Sequence, residues 1–203
     1  WTGGSTHTIR FRVSDETDAQ LAAWVNATVD GVSATVYAGP VPLGESSVAW
    51  TLPSTTSTVT VLVAVADASG LTASSSSAAL AIDATPPDLL AADPADGAVS
   101  AKVAGPIVLT FSERMNEAAT AAAVAVTPSV GGMSASWDLG GRVLTIEFAS
   151  PLAAYTKYIV TVGCAARDGS DPGNALAGCP EAPARIRFTT EIVAPPPIAR
   201  AAA

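Results

Sequence analysis

The sequence predicts an all-β protein built as two β-sandwich domains, and three observations lead to this prediction. Apolar and polar residues alternate in short runs, which is the pattern of strands that bury one face. These runs recur at a spacing of roughly 8 to 12 residues, which favours a sandwich over alternating β and α units. The length of 203 residues exceeds one typical domain of roughly 100 to 150 residues and therefore predicts two.

The first half of the chain begins with the clearest alternation. Ile9, Phe11 and Val13 alternate with polar residues, so that one face meets a core and the other meets water. Turn clusters rich in Asp, Gly, Pro and Ser separate this run from the ones that follow. The further strands predicted in this half are Leu21–Val29, Val32–Tyr37, Val48–Leu52, Val59–Val65 and Ala78–Ile82.

A proline pair marks the predicted domain boundary. After Ile82 the chain reads Asp-Ala-Thr-Pro-Pro-Asp, and consecutive prolines stop strand pairing and stiffen the connection. The predicted domains are therefore residues 1–84 and 85–191. They are followed by a proline-rich linker or tail at residues 192–203.

The second half repeats the pattern of short alternating runs with one exception. The predicted strands are Ile107–Phe111, Val124–Val126, Ala135–Trp137, Val143–Phe148, Tyr158–Val162 and Ile186–Phe188. The exception is the alanine-rich stretch Glu117–Ala123, which predicts a short helix behind Asn116 as N-cap. We expect Phe111 and Met115 in the core, and one of the tyrosines after Pro151 as a corner hydrogen bonder.

Composition excludes several classes of partner. The formal net charge is −8 and only 14% of residues are charged, against roughly 25% in an average soluble domain. With only two lysines, Lys102 and Lys157, the chain has no basic stripe for nucleic acid or anionic lipid. The apolar run around Val61–Ala66 is far shorter than the roughly 20 residues that span a bilayer, so we expect no membrane insertion.

The same composition indicates where the protein acts. A chain rich in Val, Thr and Ser and poor in charge is typical of β-structure in an extracellular medium, so we expect an extracellular or cell-surface location. The chain starts at Trp1 rather than Met. We therefore expect that it is processed or is a piece of a longer protein.

An ordered series of short motifs resembles a known family. The motifs are Ile107–Asn116, Leu144–Phe148, Tyr155–Val162, Gly173–Leu176 and Phe188–Thr190. Over residues 86 to 190 the chain resembles the bacterial Ig-like domain of S-layer and other surface proteins. Residues 1–84 resemble an Ig-like or fibronectin-like module more loosely, through Trp50–Pro53 and Val65–Thr72. The resemblance implies two tandem Ig-like β-sandwich domains.

Catalytic patterns are missing from the sequence. His7 is the single histidine, and we interpret it as a surface residue of the first strand. The chain has no G-x-S-x-G elbow, H-E-x-x-H helix, P-loop or dinucleotide fingerprint. We therefore predict that the protein is not an enzyme.

Two cysteines and one acidic turn are the candidate sites of the second half. Cys164 and Cys179 have no neighbouring histidines or C-x-x-C spacing, which favours a disulfide in an oxidising compartment over zinc. Asp168, Asp171 and Asn174 offer the hard oxygen ligands that calcium takes. The alternative is that these residue types simply make a tight turn. We favour the turn, and apart from this calcium candidate we expect no cofactor.

The first half contains two features that concern glycans. Asn26-Ala27-Thr28 is an N-glycosylation sequon, although Asn26 is equally suited to be an outward strand residue beside Trp24. The tryptophans Trp24, Trp50 and Trp137 are suited either to stack on sugars or to pack in cores. We favour the cores, because a sandwich of this size needs large anchors.

The predicted function is a non-enzymatic structural module, that is, a spacer or a building block of an S-layer or filament. Its partners would be neighbouring domains or like subunits. The alternatives are an adhesin or carbohydrate-binding tandem, and accessory domains of a larger surface enzyme. We also expect the proline-rich tail to lie on a neighbouring sheet or edge strand, with Ile192, Val193 and Ile198 as anchors.

Overall fold

A computed structural model describes residues 1–193. It confirms the predicted fold class, since the chain is all-β with one short helix in these residues. The chain folds into two units, each compact in itself. The first comprises Trp1–Thr85 with Ser170–Asn174, and the second comprises Pro86–Gly169 with the chain from Ala175.

The first unit is a two-layer sandwich. Its strands are β1 (Thr6–Val13), β2 (Gln20–Val29), β3 (Val32–Pro42), β4 (Gly44–Thr51), β5 (Ser57–Ala66), β6 (Thr72–Ser76) and β7 (Leu80–Ile82). One layer is the antiparallel pair β1–β4, and the other has the order β3-β2-β5-β6, with β7 also paired to β5. One layer therefore has two strands where the other has five.

The core of the first unit follows from the period of two along its strands. On β2, Leu21, Ala23, Val25 and Ala27 are buried and their neighbours face outward. Two clusters of buried side chains lie between the layers. The first is Val13, Leu21, Ala23 and Val41, and the second is Ala27, Leu52, Val59 and Ile82.

The second unit is a sandwich of two four-stranded sheets. Its elements are β8 (Leu89–Asp93), β9 (Ala98–Ala101), β10 (Ile107–Phe111), α1 (Glu117–Ala122), β11 (Val124–Thr127), β12 (Met133–Trp137), β13 (Val143–Phe148), β14 (Lys157–Val162) and β15 (Ala184–Thr190). The sheet orders are β12-β13-β10-β8 and β11-β14-β15-β9. Strand β9 runs parallel to β15, and all other pairs in this unit are antiparallel.

Aromatic pairs anchor the core of the second unit. Phe111 is 1% exposed, and its ring centroid lies 6.0 Å from that of Trp137. Tyr158 stacks on Phe188 at 5.6 Å. The Tyr158 hydroxyl oxygen accepts the N–H of Ala153 at 2.9 Å, so Tyr158 is the corner tyrosine that the sequence predicts.

The predicted helix is confirmed and ends one residue early. The Asn116 side chain accepts the N–H of Ala119 at 3.1 Å, as expected of an N-cap. Thr120 is fully buried and its hydroxyl donates to the Arg167 carbonyl. The helix is thereby held against the chain after β14.

Three strands escape the sequence prediction, and their side chains explain why. All five residues of β6 are exposed, so this strand has no apolar alternation. Strand β8 lies between prolines, and β9 is only four residues long. Pairing with β5, β10 and β15 holds these strands in place, and such pairing is invisible in local sequence.

The turn between β12 and β13 contains an aspartate whose ionisation stabilises it. The Asp138 carboxylate accepts the N–H groups of Val143 at 2.9 Å and Arg142 at 2.8 Å. These two hydrogen bonds, the Val143 bond foremost, hold the pKa of Asp138 below its ordinary value. A lowered pKa means that the folded state favours the charged carboxylate.

The hydrogen bonds of Asp138 should make part of the free energy of unfolding depend on pH. The contribution of Asp138 is present above the unfolded pKa and is lost as pH falls through the lower folded pKa. We expect Asp138→Asn to lose less stability than the parent on acidification, measured by urea unfolding at neutral and acidic pH. Glu147→Gln removes an exposed carboxylate from β13 and is the control. An Asp138→Asn acid response equal to that of the parent contradicts the prediction.

Candidate functional site

The predicted disulfide is present in the second unit. The Cys164 and Cys179 sulfurs are 2.01 Å apart, and the bridge closes 15 positions of sequence. Cys179 packs against the main core of this unit. The pair therefore fastens the long irregular chain between β14 and β15.

The first calcium candidate lies inside the second unit. Asp168 is 1% exposed, and its backbone forms an isolated antiparallel bridge with Met115. The next residue, Gly169, donates its N–H to the Arg114 carbonyl at 2.9 Å. Backbone pairing thus fixes the position of Asp168 beside the chain that leads into α1.

The other two candidates belong to the first unit. The Asp171 carbonyl accepts the N–H of Thr2 at 2.8 Å, and the N–H of Gly173 donates to the Thr2 hydroxyl at 2.8 Å. The Asn174 amide nitrogen donates to the Asp83 carbonyl at 3.0 Å. These bonds are of the kind that the turn interpretation expects.

Calcium binding through Asp168, Asp171 and Asn174 stays a prediction with a direct test. A cation that binds only the folded state must raise the melting temperature of the protein. The test is the melting temperature of the parent and of Asp171→Asn, each in excess calcium and in chelator. A calcium-dependent rise that Asp171→Asn reduces supports the site, and an unchanged parent melt leaves the turn role alone.

The sequon asparagine lies on the outer face of the larger sheet of the first unit. Asn26 is on β2, and its side-chain oxygen accepts the Thr35 hydroxyl at 2.9 Å. It is half-buried and shares the outward parity of Trp24. Asn26 is therefore an outward strand residue beside Trp24, while glycosylation there stays a prediction.

The three strand tryptophans divide into two groups. Trp50 and Trp137 pack against cores, as expected. Trp24 is 40% exposed, so the prediction of a core position is wrong for this residue. It lies between the buried Ala23 and Val25, and a strand turns alternate side chains to opposite faces.

The surroundings of Trp24 leave its ring open to solvent. Its partners on the neighbouring strands are Ala38 and Ala64, whose side chains are too small to cover an indole. A depression of about 370 Å³ beside it is also lined by Gln20 and Pro40. We call this surface the Trp24 face. An exposed indole beside amide groups is chemistry that suits a sugar ring.

The single histidine is held by packing. The His7 ring stacks on Trp1 with centroids 4.4 Å apart, and its Nε2 lies 2.9 Å from the Ser5 hydroxyl. His7 is half-buried on β1, so it is a strand residue as predicted but is less exposed than expected. Its contacts are those of a packed side chain.

The larger open site of the first unit runs along β1. Within residues 1–193, β1 pairs with β4 only, over its whole length of eight residues. A cavity of about 610 Å³ follows its other side and reaches β5 and β6. We call this cavity the β1 groove. It could not be found from sequence, because only strand pairing shows which strand lies at an edge.

Comparison with known proteins identifies the class and then the family. Each unit packs two sheets of mainly antiparallel strands face to face, which is the architecture of the Ig-like class of proteins. The bacterial Ig-like domain family matches residues 83–190. The chain belongs to this family, as the sequence motifs predicted.

Solved structures give distant likenesses. An L,D-transpeptidase from Mycobacterium smegmatis is 17% identical with a TM-score of 0.39, and the match covers 53% of this chain and 41% of that one. The N-terminal part of the bacterial S-layer protein SbsC is 13% identical with a TM-score of 0.38, covering 53% and 24%. The matches thus span less than half of either relative. Among curated proteins none matches this chain.

The helix content bears on membrane spanning. Among the described residues, no helix has the length and apolarity needed to cross a bilayer.

Proposed function

We propose that this chain is a non-enzymatic structural module of a secreted or cell-surface protein, acting as a spacer or as a building block of an S-layer or filament. Membership of the bacterial Ig-like domain family is the observation that carries this proposal. Fold alone does not decide function, so the proposal also draws on composition and chemistry.

Three physical features support a structural module outside the cell. The Cys164–Cys179 disulfide suits an oxidising compartment. The net charge of −8 disfavours binding to polyanions. The core of the second unit is one continuous cluster of apolar side chains, as expected of a domain that folds without a partner.

Labelling of intact cells tests this proposal. In cells that make the parent protein, antibodies against residues 1–191 should label the surface without permeabilisation. Their spacing in electron micrographs then separates a periodic building block from a scattered spacer. Labelling that needs permeabilised cells contradicts the proposal, and so does catalytic turnover assigned to these residues.

We also propose that residues 1–84 and 85–191 fold as separate domains. A fragment of residues 85–191 should unfold cooperatively on its own. A fragment of residues 1–84 lacks residues 170–174, which bond to Thr2 and Asp83. It should therefore melt below the same domain in the full chain. Failure of residues 85–191 to unfold cooperatively counts against the boundary.

The exposed indole favours one second candidate, a carbohydrate-binding role for the Trp24 face. Rings of neutral sugars stack on indoles, and Gln20 and Asn26 lie on the same face to offer amide groups. Trp24→Ala should abolish binding to a neutral glycan array. Val32→Ala removes an exposed apolar side chain from the far end of β3 and should leave binding unchanged. Equal binding by both variants and the parent contradicts this role.

A further inference from the structure

The β1 groove has the properties of a site for an added strand. In an antiparallel pair, alternate residues turn their N–H and C=O groups away from the partner. Since β1 pairs only with β4 within the described residues, these groups line the side of β1 that borders the groove. Such an edge is a template for another extended chain.

The floor of this groove is apolar and comes from both layers. Strand β1 contributes Ile9 and Phe11, and β5 contributes Val61, Val63 and Val65. Val61 is buried and the other four are half-buried. They have the inward parity of the sandwich, so the open space is part of its interior. A third strand beside β1 would cover these side chains and enlarge the smaller layer.

The chain itself contains a segment of suitable length. Ile192 and Val193 follow the last strand and are 75% and 54% exposed, and residues 194–203 lie outside the described residues. A strand of seven residues, the length of Ile192–Ile198, would span about 23 Å at roughly 3.3 Å per residue. The groove is lined by Thr8–Ser14, a run of the same seven residues in length.

We propose that the β1 groove receives Ile192–Ile198 of a second copy of this chain as an added strand. This inference rests on the proposed building-block function and specifies how copies would join. Each copy would offer one groove and one strand. A head-to-tail contact of this kind generates open filaments when the rotation does not close a ring.

The order of side chains in the segment fits an apolar floor. The residues of one parity are Ile192, Ala194, Pro196 and Ile198. With these facing the floor, Pro195 and Pro197 turn their nitrogens to the opposite side from Pro196. One strand direction turns the nitrogens of Pro195 and Pro197 away from β1. In that direction Pro196 is the one residue of its parity that has no N–H to donate to β1. Proline has fewer backbone conformations to lose than other residues, so the three prolines lower the entropy cost of docking.

Assembly of the full chain tests the groove with two matched variants. Val63→Arg places a charge on the floor, whereas Leu62→Arg places it next door on the outer face of β5. Sedimentation over a concentration series should show assembly of the parent and of Leu62→Arg. It should show assembly weakened about tenfold or more for Val63→Arg, and lost on deletion of residues 192–203. Assembly of the deletion protein equal to the parent overturns the proposal.

A peptide experiment covers the case in which Val63→Arg does not fold. A labelled peptide of residues 191–203 should bind the deletion protein, measured by fluorescence anisotropy. The same peptide with Ile192→Asp and Ile198→Asp should bind about tenfold or more weakly. Equal binding of the two peptides, or no binding of the parent peptide, overturns the proposal.

Cross-linking decides whether the strand comes from a second copy. Ile198→Cys in one tagged copy and Ser75→Cys in another, of different mass, should form a mixed disulfide. A double variant whose cross-link forms only within one chain, at every concentration, overturns the second-copy assignment. Surface labelling of cells is independent of these outcomes. The strand contact can therefore be wrong while the surface-module proposal stands. A protein found only inside cells would contradict the surface-module proposal without deciding the strand contact.

Discussion

Replacing Phe111 with alanine should lower the free energy of unfolding of the second unit by about 3–5 kcal/mol. Phe111 is 1% exposed at the end of β10, and its ring lies 6.0 Å from that of Trp137 on the same sheet. Truncation removes buried apolar surface and leaves a cavity that the surrounding sheets fill only in part. Urea unfolding followed by circular dichroism measures the change.

An exposed apolar residue of the same unit is the control for this substitution. Leu139 is fully exposed in the turn after β12, so Leu139→Ala should change the stability by no more than about 0.5 kcal/mol. Both variants lose apolar atoms, but only Phe111→Ala loses them from the core, so the difference between the two measures the effect of burial. If Phe111→Ala and Leu139→Ala shift the urea midpoint equally, the assigned core is wrong.

The predicted fold rests on signals that are strong in local sequence. On β10, Ile107, Leu109 and Phe111 are buried and the two residues between them are half-buried, as strict alternation requires. Asn116 before an alanine-rich stretch predicts the helix because the capping interaction involves only residues three apart. Such elements are specified within a few residues, so a single sequence is enough to find them.

Trp24 shows where local sequence fails. The run from Leu21 to Val25 is apolar at every position, so it contains no alternation that assigns one parity to the core. The sheet places Leu21 and Val25 inside and Trp24 outside. Only the packing of the second layer decides between the two faces, and this depends on residues distant in sequence.

The candidate sites differ in how well sequence predicts them, for the same reason. The disulfide follows from cysteine count and spacing, which need no tertiary information. Residues 170–174 lie in sequence within the second half of the chain, yet in the structure they belong to the first unit. No local sequence pattern indicates this. The β1 groove depends on which strands do not pair, and an unpaired edge has no sequence signature of its own.

Removing the disulfide should destabilise the second unit by about 3 kcal/mol. The double substitution Cys164→Ser and Cys179→Ser opens a loop of 15 positions, and the entropy that closing such a loop removes from the unfolded chain corresponds to that value. Serine keeps the side-chain size close to that of cysteine, so the loss of the crosslink dominates. Urea unfolding without reductant, compared with the parent, measures the difference.

Two further measurements make this result decisive. The parent, reduced and alkylated, should unfold at a lower urea concentration than the oxidised parent and close to the double variant, because both lack the crosslink. The slope of the free energy against urea should rise slightly in both, since an unfolded chain without the crosslink exposes more surface. Peptide mapping that finds two free thiols in the untreated parent would exclude the bond, and equal urea midpoints for the oxidised parent and the double variant would show that it contributes no stability.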